Sequence, residues 1–85
     1  MKITRTDVAT RMKMIFIEVL DVKATDLPDD ASIVDDLGAD ALKISQLSMM
    51  IEEEFGVFIT TELMGQLVTV GDAIEFVAAR ERDGI

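Results

Sequence analysis

Val8, Met12, Ile15 and Val19 recur at steps of four, three and four residues, the spacing that aligns side chains on one face of an α-helix. The same rhythm returns in Ile44, Leu47, Ile51 and Phe55, and again in Val70, Ala73, Ile74, Val77 and Ala78. Three amphipathic stripes in a chain of 85 residues leave room for one small core. Their length and polarity suit helices packed side by side. Nothing reads as a sheet. The short run Val57 to Thr60 has no partner strand. The expectation is an all-α fold and a single domain over residues 1–85: a small antiparallel bundle of three main helices plus one short helix.

Local signals set the boundaries. The first helix runs from about Arg5 to Leu20, with Thr4 and Asp7 at capping-box spacing. A long connection follows, from about Asp21 to Ala39, holding the only proline, Pro28, and the acidic residues Asp29, Asp30, Asp35 and Asp36. Connections of this length in compact domains tend to be functional or partly structured. Leu27, Ile33, Val34 and Leu37 are its anchors to the core. Gly38 provides a turn, and Asp40 is a suitable N-cap for a helix over Ala41 to Phe55. A short helix fits Glu62 to Gln66. The last spans Val70 to about Arg82, with Thr69 and Asp72 again at capping-box spacing.

Composition narrows the function. There is no cysteine and no histidine, so disulfides, thiolate metal sites and the usual near-neutral general base are unavailable. That argues against an enzyme. Seventeen acidic residues against eight basic ones give a formal net charge of −9. Nucleic acid and anionic membranes are poor partners for such a surface, and basic protein surfaces are good ones. The opening Met-Lys-Ile-Thr-Arg precedes no long apolar run, so the expectation is a cytoplasmic protein without signal peptide or membrane insertion. The acidic loop lacks the Asp-x-Asp-x-Asp-Gly pattern of a calcium loop. No specific metal site is expected, only weak cation binding near Asp35, Asp36 and Asp40.

On the second helix, Leu42 and Met49 fall opposite the core stripe, near Gln46 and Glu53. Isolated exposed apolar residues are ordinary, while two in line with a polar rim also read as a docking face. Ala41, Ser45, Ser48 and Glu52 line a flank where small residues let a neighbouring helix approach. Met12, Met14, Met49, Met50 and Met64 read either as ordinary core or as lining for an adaptable cavity. Position 41 stands in the first turn, where unpaired backbone N–H groups and the helix dipole favour an anion. A hydroxyl there could carry a phosphodiester, but alanine offers no oxygen.

The stretch from Asp29 to Val57, "DDASIVDDLGADALKISQLSMMIEEEFGV", resembles the acyl carrier proteins. Their hallmark is Asp-Ser-Leu at the start of the second helix, after an acidic-Asp-Leu-Gly run and before Glu-Glu-Glu-Phe. Here the run is Asp35-Asp36-Leu37-Gly38-Ala39-Asp40, then Ala41-Leu42, then Glu52-Glu53-Glu54-Phe55. The likeness extends to "TVGDAIEFV" in the last helix. The resemblance implies a carrier, itself without chemistry, that holds acyl chains as thioesters on a 4′-phosphopantetheine arm in fatty-acid or related biosynthesis. It makes Ala41 the attachment position, with Gly38, Asp40 and Leu42 as the motif around it. It implies docking through Asp40, Leu42, Met49, Glu52 and Glu53 onto basic patches of acyl-transferring and condensing enzymes and of a phosphopantetheinyl transferase. It also implies an apolar cavity, for which Ile44, Leu47, Ile51, Phe55, Ile59, Leu67 and Ile74 are candidates, and a monomer.

Two departures stand out. Ala41 replaces the serine, so no arm is expected on this chain. Lys43 and Gln46 stand where family members often carry acids, which points to a specialised carrier. The alanine has two main readings: a deliberate Ser→Ala change giving a uniform apo protein, favoured by the intact motif around it, or a natural carrier-like interaction module. A shift of the attachment role to Ser45 is disfavoured, because that residue lies inside the helix.

Overall fold

The computed structural model describes residues 4–83. The expectation resting on the opening Met-Lys-Ile lies outside them. Among the described residues four α-helices follow in order: α1 over Arg5–Leu20, α2 over Ala41–Phe55, α3 over Thr61–Gln66 and α4 over Val70–Asp83. Helix α1 packs against both α2 and α4. Val8, Met12, Ile15, Phe16 and Val19 supply its buried face, meeting Leu47, Ile51 and Phe55 of α2 and Val70, Ala73, Ile74 and Val77 of α4 in one core. Each fully buried large side chain contributes roughly 1.5–3 kcal/mol, so these stripes, more than intrinsic propensity, hold the bundle together.

The caps follow the sequence signals. Thr4 accepts the Asp7 N–H at 3.1 Å, and Asp7 accepts the Thr4 N–H in return. Thr69 accepts the Asp72 N–H at 3.0 Å, and Asp72 accepts the N–H groups of Thr69 and Val68. Helix α3 starts at Thr61, one residue earlier than the spacing indicated, because the Thr60 hydroxyl caps it through the Leu63 N–H.

The long connection is built rather than loose. It carries a 3-10 turn over Ala24–Asp26, which no periodicity marked. Leu27 and Ile33 are buried, and Leu37 packs partly against the core. Val34 does not serve as an anchor: it is 53% exposed, because the turn that buries Ile33 faces its neighbour outward. An antiparallel bridge joins Ser32 to Thr69. The Ile33 N–H donates to the Val68 carbonyl at 2.9 Å, and the Val70 N–H donates to the Ala31 carbonyl at 3.0 Å. Next to it the Gly71 N–H reaches the Asp29 carbonyl at 2.7 Å. Arg5 closes this end of the bundle, pairing with Asp29 at 3.2 Å and with Glu75. These two carboxylates, Glu75 foremost, raise the Arg5 guanidinium above its ordinary pKa. Among the described residues no helix is long and apolar enough to cross a membrane.

Candidate functional site

The segment before α2 folds onto itself. Ser32 donates its N–H to the Asp36 carboxylate at 2.7 Å, while its hydroxyl accepts the Asp35 N–H at 3.0 Å. The N–H groups of Asp36 and Leu37 both return to the Ser32 carbonyl at 3.0 Å. Gly38 then turns with φ +71°, a left-handed conformation that costs other L-residues about 1–2 kcal/mol. The buried Ala39 donates to the Ile33 carbonyl at 3.1 Å. Asp40 follows in extended conformation, and its carboxylate accepts the Lys43 N–H at 2.9 Å. The cap contributes about 1 kcal/mol and fixes where the helix begins. Ala41 is therefore the first residue of α2, and it is exposed.

Beside it lies a cleft of about 270 Å³ between α2 and α3, lined by Ala41, Ile44, Ser45, Ser48, Thr61, Met64 and Gly65. It adjoins a smaller recess of about 150 Å³. The two share Ile44, Met64 and Gly65. Ser32, Ile33, Leu67 and Val68 are among the recess's other walls. Ser45 and Ser48 thus line an open cleft between α2 and α3, not the close helix contact that their small size suggested. Gly65 has no left-handed backbone, and nothing lies within 4 Å of the point where a Cβ would stand, so a methyl group there would project into open space.

The site residues divide by position. Gly38, Asp40, Ala41 and Leu42 come together at the start of α2. Leu42 and Met49, seven residues apart on one side of the helix, are 67% and 58% exposed, with exposed Glu53 one turn beyond Met49. Glu52 is not on that face. Its carboxylate accepts the Ile59 N–H at 2.8 Å in a part-buried setting. Among the cavity candidates, Ile44 and Leu67 line the recess. Leu47, Ile51, Phe55, Ile59 and Ile74 lie in the core and line neither opening.

Of the recess walls, Gly65, Ile33 and Val68 were not among the candidates, whereas Met64, read as either core or cavity lining, is both buried and on the wall. A glycine inside a short helix was the available signal for Gly65. Of the methionines, Met12 and Met64 are buried, Met50 is half-buried, and Met14 is 64% exposed and lines neither the cleft nor the recess. Among the described residues no three histidines, cysteines or carboxylates are grouped to hold a metal ion: Asp36 and Asp40 are each turned to a backbone N–H.

Comparison with known proteins bears on what this helix start is for. The family described as "Phosphopantetheine attachment site" matches residues 10–77. The chain is 46% identical over 72 residues to the acyl carrier protein of Sinorhizobium fredii, covering 85% of this chain and 92% of that one. The acyl carrier protein AcpP of Rhizobium meliloti matches with the same identity and coverage. Among solved structures, the acyl carrier protein of Enterococcus faecalis superimposes with a TM-score of 0.78 at 30% identity, covering 91% of this chain and 98% of that one. The helix order, the capped turn before α2 and these matches together assign the chain to the acyl carrier protein family, whose members are carriers and not catalysts.

Proposed function

We propose that this chain is the scaffold of a specialised acyl carrier whose attachment position is blocked at Ala41. The observation that carries the reading is the state of the α2 start. The Gly38 turn, the Asp40 cap and the exposed first residue are all intact, yet that residue is an alanine. The family's 4′-phosphopantetheine arm is held by a phosphodiester to a side-chain oxygen, and a methyl group supplies none. The arm therefore does not fit this chain covalently, and the chain stays apo. Loss of function by drift would be expected to erode the cap and the turn as well. The alanine reads instead as a Ser→Ala replacement in an otherwise competent carrier.

In the serine-bearing form, the cleft beside position 41 takes the start of the acyl chain, with Ile44 and Leu67 forming walls of the recess behind it. At about 150 Å³, the recess is of the size at which an apolar protein cavity accepts a benzene ring. Leu47, Ile51, Phe55, Ile59 and Ile74 are the core through which a longer chain would have to open its way. Asp40, Leu42, Met49 and Glu53 form the docking face for acyl-transferring and condensing enzymes and for the phosphopantetheinyl transferase. Glu52, engaged with the Ile59 N–H, is left out of that face. The carrier acts as a cytoplasmic monomer.

A second reading, a natural interaction module without an arm, draws on the same exposed Leu42 and Met49. Intact mass separates the two. The chain and its Ala41→Ser variant are incubated with coenzyme A and a broad-specificity phosphopantetheinyl transferase. The expected outcome is one arm on the serine form and none on the alanine form. If neither gains mass while a control carrier does, the interaction module is the better reading. If the alanine form gains mass, position 41 is not the acceptor.

A further inference from the structure

Two openings lie along the seam between α1 and α2. One is lined by Arg11, Met14 and Ile15 of α1 and by Glu54 of α2, the other by Lys43, Gln46 and Met49 of α2. Glu18, Met50 and Glu53 border both, so the two form one furrow along the seam. Its floor is apolar: Ile15 is buried and Met50 half-buried. Met14 on one bank and Met49 on the other are 64% and 58% exposed. Glu18 and Glu53 stand exposed at its rim, outnumbering the half-buried Lys43 that lines the same opening. Arg11 closes one end, paired with Glu54 at 3.6 Å.

We infer that this furrow is a docking groove for a cationic segment of a partner protein. The segment offers one large apolar side chain to the methionines, flanked by lysines or arginines for Glu18 and Glu53. The inference deepens the carrier reading by extending the docking face from α2 onto α1. Two unbranched thioether side chains on opposite banks can close on apolar groups of varied shape. The acidic rim selects the sign of what approaches. The same rim, on a chain of net charge −9, opposes an anionic bilayer or a second copy of the chain. A cationic protein segment is the occupant that meets both the apolar floor and the charged rim.

The test uses the whole chain with its methionine methyl groups labelled with carbon-13. One probe is an amphipathic helical peptide with a single leucine flanked by lysines. Its twin carries glutamine in place of that leucine. The leucine peptide should shift the methyl signals of Met14, Met49 and Met50 together, and the glutamine twin should bind about tenfold more weakly or worse. Met14→Gln and Glu18→Lys, both at exposed positions, should each weaken the leucine peptide about fivefold or more, while Phe58→Ser, in the α2–α3 loop, should not. Shifts at Met49 without Met14 would confine docking to α2 and overturn the inference. Equal binding of the two peptides would reduce it to charge alone, with the same consequence. Shifts that grow with protein concentration in the absence of peptide would make a second copy the occupant and overturn it too. Each of these results leaves the mass experiment on Ala41→Ser to stand or fall separately.

Discussion

The carboxylate of Glu52, in the last turn of α2, accepts the backbone N–H of Ile59 at 2.8 Å. This bond ties the loop after Gly56 to the helix. Ile59 itself is buried, so its N–H has no ready exchange with water. Glu52→Ala should destabilise the fold by about 1–3 kcal/mol, the cost of leaving such a donor unpaired. Glu52→Gln, which keeps an acceptor oxygen, should lose less. Thermal unfolding gives the size, and faster hydrogen exchange at the Ile59 amide identifies the cause.

Two glycines make opposite predictions. A Cβ at Gly71 would come within 2.9 Å of the Asp29 carbonyl oxygen, and that oxygen is held by the Gly71 N–H. Gly71→Ala should therefore destabilise by about 1–3 kcal/mol, as overpacking against backbone does. Gly65→Ala meets nothing and sits inside a helix, so it should stabilise by up to about 1 kcal/mol. Urea unfolding measures both. In an Ala41→Ser carrier, the added methyl at position 65 should also slow loading of bulky acyl groups through the cleft.

Asp40→Ala removes the cap from α2 and should cost about 1 kcal/mol, read from urea midpoints. On the Ala41→Ser background it should also slow modification by the transferase, because the helix start that presents the serine would fray. Retention of both stability and loading rate would detach the cap from the site.

Leu42→Ala and Met49→Ala should leave stability within about 0.5 kcal/mol, as expected for exposed positions away from caps and cores. On the Ala41→Ser background they should raise the transferase KM. A change in stability equal to the change in loading would argue that these side chains pack rather than dock.

Salt should raise the melting temperature by screening the repulsion among excess carboxylates. Magnesium at matched ionic strength should do little more, since Asp36 and Asp40 already hold backbone N–H groups. Thermal scans in sodium and magnesium chloride compare the two directly. A large extra effect of magnesium would reveal a bound ion.

The helices were legible because their signals are local. The stripes of α1, α2 and α4 and the boxes at Thr4–Asp7 and Thr69–Asp72 need only a few neighbouring residues to be read. What could not be read depends on residues distant in the chain. The Ser32–Thr69 bridge joins segments with no shared pattern, and it forms the frame around Ile33 and Val68. Val34 looked like an anchor because it is apolar, yet the turn that buries Ile33 leaves it outside. Met14 gave no sign of the furrow, because that role needs α2 beside it. Helical spacing put Glu52 on a flank, but only the returning loop supplies the Ile59 N–H that occupies it.

The packing of α1 against both α2 and α4 also bears on how the chain is made. During synthesis α1 leaves the ribosome before α4, and the apolar surface it shares with α4 must wait for that helix. Until residues 70–83 have emerged, a growing chain has an unfinished core and leaves uncovered the part of α1 that packs on α4, the kind of surface chaperones hold. Its closing contact spans nearly the whole sequence, so folding should complete late and all at once.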